Sequence, residues 1–447
     1  MSALDPTETA SGASAAVLPV PERELRQDVL LMLGAKLCIL VFGAGTTVIV
    51  ARSLGPSGRG SLASTYALMT LLAQLGTLGI GSANPYFVSR EPGMRASIVS
   101  NSLWLACIVG PLMAAVGIAI KVVAPAALAS ISWPALTVGM LAVPAMLGSL
   151  FLQSILLAEG RTLLYNGIEV GTTLLMMTLL FTVLSVVGAG VVLALSLMVA
   201  AQVAGLVVYL AVMGAHGRLL RRPDVALARR MLGYGARAYL VTLIAYMLIR
   251  IDLLLVNGIQ GAGAAGQYSI AVAFADALYL LPVSVAMNLF PRLARGSADH
   301  EVSIDVLHLV AVGYLIVCAL AALLAAPAIM LLFGAAYEPA ISLFLWLLPG
   351  VYCLGLLTVI AYHFAAHGMP RDLLMVWIPG LAVNIVLNVT LLPHHGTYVA
   401  AIASTVAYAI VLVLHLRLFA HDVGSWSALR PTLAGTVSLV RVALRRS

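Results

Sequence analysis

Six ionisable residues, Lys36, Glu169, Arg237, Arg250, Asp252 and Asp276, stand within long apolar stretches of this sequence. A charge in such surroundings is costly, so it marks either an ion pair or a path for something polar. The basic members suit an anion, because Arg and Lys donate charge-assisted hydrogen bonds to its oxygens. The acidic members suit a coupling ion, H+ or Na+, or a salt bridge. At 1.5 Å per residue, Lys36 lies about 9 Å and Arg237 about 6 Å from one end of their stretches, where both either face an entering anion or snorkel to headgroups. Arg250 and Asp276 lie about 10 and 15 Å from the turn joining their stretches, close enough to pair. Asp252 is read either as an ion site or as a group facing headgroups. Glu169 lies about 6 Å into its stretch, where pairing at the interface with its neighbours Glu159 and Arg161 is expected.

The elements that must position these groups follow from composition. Of 447 residues, 62% are hydrophobic and 9% charged, with a mean hydropathy of +1.07. Soluble domains carry about 25% charged residues, so a soluble enzyme and a secreted disulfide scaffold are both excluded. The apolar runs are long and continuous rather than alternating, which predicts an all-α polytopic membrane protein and not a β-barrel. Twelve runs are long enough to cross about 30 Å of hydrocarbon. They fall near 30–51, 64–88, 98–120, 135–158, 165–187, 190–213, 233–257, 266–290, 306–333, 340–366, 372–392 and 397–419. Threading the chain through twelve crossings puts eighteen of the 24 Lys and Arg residues on the side of the chain ends, and only Arg52, Arg59 and Lys121 opposite. The positive-inside rule then places both termini in the cytoplasm. The net charge of +7 records this orientation and implies no nucleic-acid partner.

Five segments result: a polar tail at 1–29, an N-lobe of six helices at 30–213, a basic linker at 214–232, a C-lobe of six helices at 233–420 and a basic amphipathic tail at 421–447. The first tail lacks the pattern of a cleaved signal peptide, and the last is expected along the anionic inner leaflet. At an offset of 206 residues, Gly55 falls on Gly261, Gly60 on Gly266, Ala67 on Ala273 and Pro85 on Pro291. A repeat after six crossings keeps its orientation, so the lobes are expected to be related by an axis along the membrane normal, with a cleft between them.

The stretches Val50-Ala-Arg-Ser-Leu-Gly-Pro-Ser-Gly-Arg-Gly60 and Leu78-Gly-Ile-Gly-Ser-Ala-Asn-Pro-Tyr-Phe87 resemble the opening of the polysaccharide flippases, the Wzx-like branch of the multidrug/oligosaccharidyl-lipid/polysaccharide superfamily. Tyr246 to Leu255, Gly266 to Asp276 and Leu289-Phe-Pro-Arg292 are similar to the same family's seventh and eighth helices. The resemblance implies a secondary transporter, not an enzyme, that flips undecaprenyl-diphosphate-linked oligosaccharide across the inner membrane by alternating access; from their positions in the apolar stretches, Lys36, Arg237 and Arg250 are the cations expected to meet its diphosphate in the cleft. It also implies membrane lipids as surroundings, and a polysaccharide polymerase and chain-length proteins as partners. The alternatives are a cation-coupled multidrug exporter of the same superfamily and a membrane polymerase or glycosyltransferase. A peptidoglycan-precursor flippase normally carries two further helices.

Other motifs carry no cofactor. Gly261-Ala-Gly-Ala-Ala-Gly266 fits the dinucleotide pattern but joins two membrane helices, and Gly55 to Gly60 lacks the Lys of a phosphate loop. His363 and His367 have helical spacing without an acidic third ligand, which argues against zinc. Cys38, Cys107, Cys318 and Cys353 are read as small core residues. Gln74, Asn84, Gln153, Asn166, Gln202, Asn257, Asn288, Asn384 and Asn388 either line a sugar-binding cleft or tie helices together.

Overall fold

A computed structural model of the chain describes residues 22–188, 190–215, 219–294, 300–367 and 373–424. These form twelve α-helices: α1 (Glu22–Gly76), α2 (Ile80–Arg90), α3 (Arg95–Val123), α4 (Trp133–Ala158), α5 (Thr162–Val187), α6 (Val191–Gly214), α7 (Val225–Gln260), α8 (Ala262–Ala294), α9 (His300–Phe333), α10 (Pro339–His367), α11 (Leu373–His395) and α12 (Tyr398–Val423). Most of the expected runs coincide with one helix each. The first two do not.

The stretch Gly34–Gly76 of α1 has 43 residues, about 65 Å of helix and twice the thickness of a bilayer core. It folds back at Gly55, whose φ of 65° and ψ of −179° break the helical path. Lys36 on the first limb lies over Tyr165 at the start of α5. Arg52 reaches the carbonyls of Leu331 and Leu332 at the opposite end of the molecule, 2.6 and 2.7 Å away. By Leu75 the chain has returned to the first face, where its carbonyl accepts from the Tyr239 hydroxyl. α1 therefore crosses twice, and with ten further long apolar helices the described chain makes twelve crossings. The outer loop expected between residues 51 and 64 is thus a single residue. Pro56 restarts the helix at a position whose missing N–H needs no partner. The second run is interrupted instead at Leu78 and Gly79, with φ of 47° and 82°, and resumes as α2.

The basic connector also differs from a free linker. Asp224 caps α7 by accepting from the Leu227 amide at 3.0 Å, and is itself held by Asn101 at 2.9 Å through both its N–H and its carbonyl. Leu227 and Met231 are then buried in the N-lobe core beside Ile98, Phe151 and Tyr209. The start of α7 is docked on the N-lobe before its apolar part enters the C-lobe. The tail beyond residue 424, expected along the membrane surface, lies outside the described residues.

The repeat has a geometric counterpart. Gly261, between α7 and α8, has φ of 85° and ψ of 177°, close to the conformation of Gly55. Gly60 lies so near the Ala262 carbonyl that an added Cβ would sit 1.8 Å from its oxygen, and Gly266 stands likewise 1.9 Å from the Pro56 oxygen. Since 56 and 60 shifted by 206 are 262 and 266, each contact is the other's image under a two-fold operation. These turns define one face of the molecule, the turn face; the opposite one is the termini face.

Candidate functional site

Between the lobes lies a chamber of about 450 Å³. The N-lobe contributes Thr46, Thr47, Arg59, Tyr66, Ala67 and Thr70 from α1, and the C-lobe contributes Tyr246 and Arg250 from α7 with Ser269, Ala273 and Asp276 from α8. Ala67 and Ala273, equivalent in the repeat, face the same space from opposite lobes. On the turn face the lobes meet at Gly60 and Gly266. On the termini face they meet at Gly79 and Gly235, whose backbones approach so closely that an added Cβ at Gly79 would lie 2.5 Å from the Gly235 carbonyl. Around that contact the Tyr86 and Tyr234 rings stack at 4.0 Å, and Glu91 pairs with Arg230.

Arg250 enters the chamber wall and donates to Asp276 at 2.8 Å, with the two side chains 32% and 40% exposed. The pair expected from depth is present, and it remains open to the chamber. Arg59 donates from its Nε to the Ser269 hydroxyl across the lobe boundary at 3.2 Å. Sequence reading assigned Arg59 to a loop because residues 55–60 look like one long glycine-rich turn. With the turn reduced to Gly55, Arg59 falls on the second limb of α1 and faces inward. Lys36, by contrast, is exposed with its Nζ 5.2 Å from the Tyr165 ring centroid, a cation–π contact, and is not among the residues lining the chamber. Arg237 sits in α7, but its side chain lies outside the described residues, as does that of Asn288.

Asp252 is 2% exposed and faces neither headgroups nor lipid. It accepts from the Tyr268 hydroxyl and from Ser404 at 2.9 Å; Ser404 also accepts from Asn384 at 3.1 Å, and Asn388 donates to the Asn384 carbonyl at 2.9 Å. A cavity of about 20 Å³ beside it, large enough for one water, is lined by Asp252, Asp276, Tyr279 and Tyr408. This network joins α7, α8, α11 and α12 through polar groups inside the C-lobe.

Glu169 departs from expectation more sharply. Arg95 and Arg161 both pair with Glu159, leaving Glu169 to accept on Oε1 from Gln153 and from the Tyr209 hydroxyl, each at 2.9 Å. It lines a second cavity of about 320 Å³ inside the N-lobe, with Gln74, Gln153, Gln202 and Ser149. Tyr66, Thr70, Met176 and Tyr246 line both cavities, so the two adjoin. Asn84, Asn257 and Asn384 instead bond to other helices or loops. His363 is taken up by Ser303 and Asp422 at 2.9 and 3.0 Å. Cys38 and Cys107 are exposed rather than in the core.

The fold is shared with solved transporter structures. The lipid II flippase MurJ in an inward closed conformation aligns over 93% of this chain and 93% of its own with a TM-score of 0.73 at 12% identity. An inward-facing multidrug resistance MATE family transporter of the MOP superfamily covers 90% of this chain and 99% of its own, with a TM-score of 0.67 at 15% identity. An outward-facing structure described in the same terms gives 88%, 94%, 0.65 and 14%. A search of the curated proteins finds no match. A family model described as polysaccharide biosynthesis protein matches residues 25–297, which take in the whole N-lobe, α7 and α8. This multi-pass membrane protein, with two pseudo-symmetric lobes around a polar chamber, belongs to the polysaccharide biosynthesis protein family.

Proposed function

We propose that the chain flips undecaprenyl-diphosphate-linked oligosaccharide from the cytoplasmic to the outer leaflet of the inner membrane, its diphosphate held between Arg59 and Arg250. The observation that carries this reading is a cation from each lobe on the wall of one chamber inside the membrane. An unaided sugar diphosphate would have to shed its water in hydrocarbon, at a cost of several kcal/mol for each unsatisfied polar group. Guanidinium groups replace that water, since each presents several N–H donors in a plane matched to phosphate oxygens. Glycine contacts on both faces let either seam close tightly, as alternation of access requires. Because Arg59 and Arg250 come from different lobes, parting the lobes on the turn face separates the two ligands and releases the anion outward. Asp252, with its adjoining cavity, is proposed as the coupling site for H+ or Na+.

Deleting the gene should make undecaprenyl-diphosphate oligosaccharide accumulate in the cytoplasmic leaflet, and the intact gene should reverse this. Arg59→Ala and Arg250→Ala should fail to do so, while Arg250→Lys should restore part of it. The competing reading, a cation-coupled multidrug exporter, is favoured by the carboxylate of Glu169 in the adjoining cavity. Normal polysaccharide export with drug hypersensitivity in the deletion strain would establish it instead.

A further inference from the structure

The N-lobe cavity holds polar groups that the fold itself leaves unused. Glu169 receives two hydrogen bonds on Oε1 and none on Oε2 among the described residues. Gln74 and Gln202, from α1 and α6, line this cavity too and make no side-chain hydrogen bond among the described residues. Ser149 is 1% exposed, and its hydroxyl has no partner among the described residues. Inside a membrane such groups are stabilised by pairing between helices, as Asn84 and Asn384 are. Here they converge on an open space of about 320 Å³, the size of a small-ligand pocket.

Their chemistry narrows the ligand. Carboxylate, amide and hydroxyl groups together both accept and donate, which matches the hydroxyls of a sugar, each a donor and an acceptor. Among the described residues no Lys or Arg lines this cavity, a lining unsuited to phosphate, and Glu169 disfavours an acidic sugar. Tyr66 and Tyr246 stand where this cavity meets the chamber, and aromatic rings suit the apolar face of a pyranose. We infer that the N-lobe cavity around Glu169, Gln153 and Gln202 is a saccharide subsite that selects a neutral sugar attached to the diphosphate in the adjoining chamber. The inference rests on the flippase reading and adds to it the part of the substrate that this cavity discriminates.

The test uses the full chain in lipid nanodiscs, with binding of undecaprenyl diphosphate, undecaprenyl-diphosphate-glucose and undecaprenyl-diphosphate-glucuronic acid measured by native mass spectrometry. The glucosylated lipid should bind about tenfold more tightly than the bare one, and the glucuronic acid form more weakly than the glucosylated one. Gln153→Ala and Gln202→Ala should each pull the glucose-to-bare ratio toward one, with the bare lipid serving as the folding control. A ratio of one in the unaltered chain, or a ratio that survives both substitutions, overturns the subsite. So does a Glu169→Gln chain that keeps the full ratio yet loses the pH dependence of transport, since Glu169 would then be a protonation site. Failure of the unaltered chain to bind bare undecaprenyl diphosphate, or binding indifferent to Arg250→Ala, counts against the flippase reading itself.

Discussion

Replacing Gly266 with alanine places a methyl group 1.9 Å from the Pro56 carbonyl oxygen and 2.7 Å from its carbon. A relaxed carbon–oxygen contact is about 3.3 Å, so the two turns must part by roughly 1.4 Å. The obstructing atoms are backbone, and no rotamer change relieves them. Overpacking of this kind costs about 1–3 kcal/mol, which changes the ratio of turn-face-closed to turn-face-open molecules by about 5- to 150-fold. Alanine also favours the helix over glycine by about 0.5–1 kcal/mol, but the helix is present in both states, so that gain cancels from the equilibrium. Adding Gly60→Ala should cost less than twice as much, because one separation relieves both clashes. The shift can be read by double electron–electron resonance between nitroxides at Val187→Cys and Glu338→Cys, exposed turn-face positions on the two lobes, with the four native cysteines replaced. Gly266→Ala should enlarge the long-distance population at least fivefold without lowering the thermal unfolding temperature. An unchanged distance distribution in both Gly60→Ala and Gly266→Ala would refute the claim that this glycine contact seals the turn face.

On the termini face, Tyr239→Phe removes the hydrogen bond to the Leu75 carbonyl at 2.5 Å, worth about 0.5–1.5 kcal/mol, and should raise labelling of a cysteine introduced in the chamber wall, Thr47→Cys, from that face by an impermeant thiol reagent. Ser404→Ala takes a partner from both Asp252 and Asn384; it should destabilise the detergent-solubilised protein by about 1–3 kcal/mol in thermal unfolding. Asp252→Asn should abolish the dependence of transport on an H+ or Na+ gradient in proteoliposomes while undecaprenyl diphosphate still binds; retained dependence would remove Asp252 from the coupling proposal. Asp224→Ala deletes the cap of α7 and should cost about 1 kcal/mol of thermal stability, whereas a freely dangling connector would show no change.

What could be read before folding was whatever local sequence settles. In hydrocarbon each crossing must satisfy its own backbone, so run length reports the number of spans whatever the neighbours do. Gly55 and Gly261 were legible as equivalent turns because the chain needs a positive φ there, although Gly55 proved to be the whole of its turn. The pairing of Arg250 with Asp276 followed from helix rise alone. The capped start of α7 was missed because Arg221, Arg222, Arg229 and Arg230 make that stretch look like a solvated linker, while Leu227 and Met231 carry the packing.

Length and hydropathy, then, determine twelve helical crossings in two repeated halves, because the solvent acts on each segment separately. Tertiary structure alone decides which polar groups meet. Gln202 and Asn384 are both amides in apolar helices, yet one faces a cavity and the other bonds Ser404. These helices are apolar on nearly every side, so periodicity does not mark the inward face. Arg59 and Lys36 part for the same reason, one turned into the chamber and one onto Tyr165, once packing sets the rotation of each limb of α1.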